Sequence, residues 1–174
     1  MFQRRFNGEV DFAERTWDDY RNGFGDVDQE HWLGNKWLNL LTTNQKHDFL
    51  LVAKEKNSTR TVKKKLIGFR VENEKNSFRL SFQRFSEELH ETDLIWTLNG
   101  SPFLTHEHIS SPLSRFCVDY RGPFWHNGTH RCGSFILNGE YHEMRIFEDK
   151  DNRFQEIIYL DESMLMVRPS DFKP

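Results

Sequence analysis

Between Cys117 and Tyr141 the chain runs CVDYRGPFWHNGTHRCGSFILNGEY and holds both of its cysteines, Cys117 and Cys132. A segment this rich in Gly, Pro and polar residues buries too little apolar surface to offset the entropy of ordering it. The cysteines bracket a Gly122-Pro123 turn, the aromatic pair Phe124-Trp125 and a polar tip, His126-Asn127-Gly128-Thr129-His130. Leu137-Asn138-Gly139-x-Tyr141 follows. A disulfide between them would close a loop of about 15 residues and contribute about 3 kcal/mol in the chain-entropy picture. Two cysteines with no other redox or zinc pattern equally fit separate buried thiols in a reduced protein.

A chain of 174 residues has room for one domain, 1–174, with a sizeable core. Its excess of phenylalanine favours strands. No apolar run approaches the roughly 20 residues that span a bilayer, so membrane insertion is not expected. The net charge of −3 lacks the basic footprint of a nucleic-acid binder. Met1-Phe2-Gln3-Arg4-Arg5 has no apolar stretch of the kind found in a secretory leader. Asn57-Ser58-Thr59 and Asn127-Gly128-Thr129 are glycosylation sequons, and Asn99-Gly100-Ser101 is a third, weakened by Pro102. No nucleophile elbow, phosphate loop or dinucleotide fingerprint occurs, so no enzymatic activity is expected.

The N-terminal stretch reads as a strand over Gln3-Arg4-Arg5, an Asn7-Gly8 turn and a second extended piece to Phe12. Thr16 is placed to cap a short helix with Asp18 and Asp19 in its first turn, and Gly23 to end it. Asn35 is the expected N-cap of a second helix carrying Trp37, Leu38, Leu40 and Leu41. Residues 48–54 form an apolar strand, and a turn bearing Asn57 makes a hairpin. Lys63-Lys64-Lys65 reads as a solvated edge or turn before a strand in which Ile67, Phe69 and Val71 share a face. Phe78, Leu80 and Phe82 alternate with Arg79, Ser81 and Gln83, which predicts a half-buried strand. From Ser86 to Ser111 the chain is irregular. Residues 144–147 and 155–160 read as strands around a polar turn, and 164–169 as a closing strand.

QRR-x-x-G-x-V-D-F, W-x-x-Y-x-x-GFG, WLGN with a following LT, and the C…FW…C…LNG-x-Y segment occur in that order. Together they resemble the fibrinogen-related domain, the globular module of fibrinogen chains, ficolins, tenascins and angiopoietin-like proteins. The resemblance covers essentially the whole chain and thins after Leu89. It implies an α+β fold with a central, mainly antiparallel sheet and short helices over 1–85. A loop-rich C-terminal subdomain plus closing strands is expected over 86–174, stapled by a Cys117–Cys132 disulfide. The family begins further upstream, with a segment carrying another cysteine pair, so this chain is expected to be an N-terminally shortened form.

Calcium-binding members carry Phe-x-Thr followed by aspartates. Here Phe103-Leu104-Thr105 leads into Glu107, Ile109 and Ser111 at the aspartate positions. Calcium wants six to eight oxygen ligands and isoleucine supplies none, so the calcium loop is expected to be degenerate, with no cofactor bound. His106 and His108 invite a zinc reading, but no third ligand accompanies them at a metal spacing, and surface histidines are the simpler account. Asp149-Lys150-Asp151-Asn152 lacks the glycine and distal glutamate of an EF-hand. Carbohydrate-recognising members hold acetyl groups in an aromatic funnel beside the second cysteine, which a histidine follows. Gly133 stands there instead. The resemblance places Phe124, Trp125, His126 and His130 as the surviving ligand wall; packing of Phe124 and Trp125 on the disulfide is the competing account.

The function implied is non-enzymatic recognition outside the cell. The first expectation is a secreted, lectin-like glycoprotein module that binds acetylated glycans in innate immunity. The alternative is an angiopoietin-like ligand for a cell-surface receptor, acting in signalling without calcium. An upstream stem would add oligomerisation and avidity. A concave aromatic pocket beside Cys132 would favour a glycan, and a flat exposed apolar patch a protein partner.

Overall fold

The structure, a computed structural model, describes residues 1–85, 94–109, 111–128, 132–150 and 154–172. In chain order its elements are β1 (Gln3–Arg5), α1 (Trp17–Asn22), β2 (Phe24–Gly25), β3 (His31–Trp32), α2 (Asn35–Asn44), β4 (His47–Glu55) and β5 (Thr61–Val71). Then come β6 (Leu80–Ser81), β7 (Arg84–Phe85), β8 (Phe103–Leu104), α3 (Pro112–Arg121), β9 (Phe124–Trp125), β10 (Phe135–Ile136), β11 (Arg145–Lys150) and β12 (Phe154–Pro169). The main sheet runs β2-β3-β1-β12-β4-β5-β6, with β11 also on β12, β10 on β11 and β7 on β5. Every pairing among these described strands is antiparallel.

The three motifs of the N-terminal half interlock through polar contacts. Thr16 and Asp19 form a reciprocal capping box at α1, and Gly23 closes the helix with its N–H on Asp19 O at 2.7 Å. Glu30, 1 % exposed, turns back toward the residues after β1. Its Oε1 accepts the N–H groups of Phe6, Asn7 and Gly8, and its Oε2 accepts that of Val10, at 2.7–3.0 Å. A carboxylate therefore replaces the second strand expected up to Phe12. Asn35 is not the N-cap of α2 either. Gly34 occupies that position, and Asn35 Oδ1 accepts the indole N–H of Trp32 at 3.1 Å.

In β4, Phe49, Leu51 and Ala53 are buried in alternation, as the period-2 pattern requires. Its partner β5 breaks that pattern at a bulge, where the register shifts between His47 and Phe49. Gly68 takes φ +68° there, and a Cβ would lie 2.8 Å from the Gln83 side chain. The extra residue changes the inward face. Val62, Lys64 and Leu66 point in before it, Phe69 and Val71 after it, and Ile67 does not join them. The lysine triplet lies within β5, where β4 pairs one side and the described partners of the other side begin only at Leu66, so the expected edge stands but one of its lysines is not solvated. Lys64 is 7 % exposed, and its Nζ lies 2.8 Å from Glu148.

Residues 154–169 form one 16-residue strand, not two. The first part of β12 pairs with β11. The second lies between β1 and β4, with a register shift between Leu160 and Glu162. The tip of the β11–β12 hairpin, 151–153, lies outside the described residues. Between the sheet and the C-terminal loops sits an aromatic layer. Trp32 contacts Tyr20, Phe103 and Trp125 at ring separations of 5.2, 5.6 and 5.8 Å.

Candidate functional site

The region around the cysteines is built on α3, a helix over a stretch to which the sequence reading assigned no element. Ser111 caps it, accepting the Ser114 N–H at 3.1 Å, and Pro112 opens its first turn. Gly122 ends it at φ +78°, where a Cβ would lie 2.6 Å from Gly139 Cα. No other residue fits that contact without backbone movement. Cys117 projects from the buried side of α3 and is bonded to Cys132, Cα to Cα 5.2 Å. The double variant Cys117→Ser/Cys132→Ser is expected to lose about 3 kcal/mol, read as a lower midpoint in guanidinium unfolding monitored by tryptophan fluorescence.

The expected ligand wall is interior. Phe124, Trp125 and His126 are 2 %, 0 % and 0 % exposed. Trp125 donates its indole N–H to Phe78 O at 2.8 Å. His126 stands with Nδ1 2.8 Å from Cys132 O and Nε2 2.8 Å from Gly122 O. Burial pushes its imidazole below the ordinary value, against the pull of those two carbonyls. A neutral ring donates from one nitrogen, so His126 ties the end of α3 or the second cysteine inward whichever tautomer it adopts. These residues fill the space under the loop, and aromatic bulk goes to core packing because the loop has little other apolar surface. His130 lies outside the described residues. Of the sequon residues, Asn57 is exposed at the β4–β5 turn and Asn127 is half-buried.

In the stretch expected to be a degenerate calcium loop, the described side chains make internal contacts. Glu107 accepts the backbone N–H of Trp17 at 3.1 Å. Ser111 is the α3 cap, and the Ile109 side chain has no oxygen. His106 and His108 diverge: His106 lies 3.2 Å from Asp119, whereas His108 stacks on Trp17 at 3.9 Å and approaches Ser77 Oγ at 3.0 Å. Among the described residues no cluster of three His, Cys, Asp or Glu side chains could hold a metal ion.

What the disulfide region does present to solvent is a different set. Phe116 and Tyr120 on the outer side of α3 are 53 % and 57 % exposed and stack with ring centres 5.8 Å apart. The β11–β12 register places Arg145 opposite Tyr159 and Phe147 opposite Ile157. Directly opposed residues share a face, so these four lie on the side away from the buried Ile146 and Ile158, with Ile157 and Tyr159 exposed, Phe147 half-buried and Arg145 covered by its neighbours at 9 % exposed. Ile157 and Tyr159 are 48 % and 47 % exposed. Arg145 joins the two elements. Its guanidinium lies 5.7 Å from the Tyr120 ring and 5.8 Å from the Tyr159 ring. It donates to Tyr120 Oη at 3.2 Å and pairs with Glu143 at 2.5 Å. Arg121 lies over Phe147 at 4.6 Å and donates to Gly133 O at 2.6 Å. The aromatic spacing of Phe116 and Tyr120 behind a Ser-Pro start was the signal available in the sequence.

The fold agrees with comparison to known proteins. Residues 1–160 match the family of fibrinogen beta and gamma chains, C-terminal globular domain. Human ficolin-3 is 35 % identical over 143 residues, which cover 81 % of this chain and 46 % of ficolin-3. Human angiopoietin-related protein 6 is 32 % identical over 180 residues, covering 97 % of this chain and 36 % of that protein. The fibrinogen-like globe domain of human ANGPTL2 superposes with a TM-score of 0.77 at 26 % identity, covering 97 % of this chain and 78 % of that one. The chain belongs to the fibrinogen C-terminal domain family. It spans less than half the length of the curated relatives it matches, 46 % of ficolin-3 and 36 % of angiopoietin-related protein 6. Among the described residues no helix is long and apolar enough to cross a membrane.

Proposed function

We propose that this domain is a secreted, non-enzymatic recognition module that binds a cell-surface protein through the outer face of α3 and the β11–β12 hairpin. The observation that carries the reading is the group of exposed side chains Phe116, Tyr120, Ile157 and Tyr159, two of them gathered around Arg145. Tyrosine, phenylalanine and arginine are the residues that dominate protein interfaces. The acetyl-glycan alternative needed Phe124, Trp125 and His126 at a pocket mouth, and their burial leaves it without those contacts. The disulfide suits an oxidising, extracellular setting. Similarity to an angiopoietin-related protein supports the receptor-ligand form of the reading.

The test is saturable binding of the labelled, oxidised domain to intact cells. Surface proteolysis and Phe116→Asp are each expected to reduce binding more than about tenfold, and chelation of calcium to leave it unchanged. Competition by free N-acetylglucosamine, with resistance to proteolysis, would overturn this reading in favour of a glycan.

A further inference from the structure

We infer that the partner of this surface places a carboxylate on Arg121 and apolar side chains against Phe116, Tyr120 and Tyr159. The inference rests on the recognition surface proposed above and names the chemistry that surface selects.

The two arginines of the face are not equivalent. Arg145 has its counter-ion, Glu143, and a hydroxyl partner, Tyr120. Arg121 has no carboxylate partner among the described residues. Its acceptor is the neutral Gly133 carbonyl, one guanidinium face rests on Phe147, and its Nε is buried without a hydrogen-bond partner. Glu143 pairs with Arg145, and Asp119 lies 3.2 Å from His106. Burial, and then the neighbouring Arg145 charge, hold Arg121 down to about 10 against a raising effect of Tyr120. Arg121 still carries its full charge at neutral pH. A half-buried cation beside a second cation lacks the charge-assisted bond that a guanidinium makes best, which is to a carboxylate. The surrounding aromatic side chains exclude water from that bond and raise its worth. Charge complementarity therefore favours an acidic segment flanked by apolar residues over an uncharged one.

The probes are 3-phenylpropionate and its uncharged amide, which share one ring and differ in the anion. They are titrated into the 15N-labelled domain at low salt, with the Arg121 Nε–H and Tyr120 backbone signals followed by NMR. The carboxylate is expected to bind at least about tenfold more tightly than the amide and to lose that advantage at high salt. Arg121→Gln is expected to equalise the two probes, and Arg121→Lys to keep part of the difference. Thermal unfolding of both variants confirms that the fold is intact. Equal binding of the probes to the native domain, or no shift from either, overturns the inference. Cell binding separates it from the broader reading: loss with Phe116→Asp but not with Arg121→Gln leaves the recognition surface standing and removes the carboxylate.

Discussion

Glu30→Ala is expected to destabilise the domain by about 4 kcal/mol, because several backbone donors held by a charged acceptor would lose it together. For a chain of this size that lowers the thermal midpoint by about 8–16 °C. Four N–H groups from Phe6, Asn7, Gly8 and Val10 converge on this one carboxylate. Glu30→Gln tests the charge separately from the shape. Its amide keeps one oxygen for the three donors at Oε1, but presents an NH2 group to the Val10 N–H or the reverse. A loss close to that of alanine is expected. A change under about 1 kcal/mol in calorimetry, the size of a surface substitution, would refute the keystone role.

The same carboxylate sets an acid limit. Burial pushes Glu30 up, but the N–H groups of Val10, Asn7, Gly8 and Phe6 together hold it below the ordinary 4.5. A carboxyl depressed in the folded state adds stability at pH values above its unfolded value. That contribution disappears as pH falls through the folded value, so it is complete at neutral pH and lost only below 4.5. The Glu30→Gln variant is expected to lack this part of the acid transition.

How much of this was legible in the sequence follows from what each motif depends on. The Thr16 cap of α1 needs only local chemistry and was legible, whereas Asp19, read only as a charge suited to the helix dipole, also returns the bond to the cap. The family motifs located the disulfide and the sheet. The apolar run over 48–54 was read correctly as a strand, but the shared face of Ile67, Phe69 and Val71 failed across Gly68, because a bulge is specified by a glycine and its partner strand rather than by alternation. Lys64 looked like a solvated charge because its counter-ion Glu148 is remote in sequence. At the site, Phe124, Trp125 and His126 could be assigned to the segment between the cysteines, but their inward direction was not readable. Which way an aromatic points depends on the tertiary layer it meets, here Trp32, Phe103 and Phe78. The exposed pair Phe116 and Tyr120 was overlooked for the complementary reason: without α3 assigned, no outer face existed to put them on.

Arg5→Met is expected to cost about 4–5 kcal/mol, within the range for removing one partner of a buried, hydrogen-bonded charge. Arg5 is 2 % exposed, and its Nη1 donates to the carbonyls of both Leu137 and Gly139 at 2.7 Å. Its guanidinium covers the Phe12 ring at 4.5 Å. This side chain therefore joins the QRR strand to the LNG-x-Y segment, the two ends of the sequence signature. Tyr141 closes the same junction, with its hydroxyl 2.7 Å from Phe6 O and 2.8 Å from Asp161 O. Methionine conserves most of the packing volume, so the loss isolates the two carbonyls left unpaired in the interior. Lysine retains the charge but, having a single ammonium on a flexible stem, loses the planar stacking on Phe12, and is expected to recover less than half of the loss. Because the Leu137–Gly139 turn also meets Gly122 at the end of α3, loosening it is expected to raise amide exchange across 133–141 before global unfolding. Exchange confined to β1 after Arg5→Met, with 133–141 still protected, would show that the two motifs are held together by something other than this arginine.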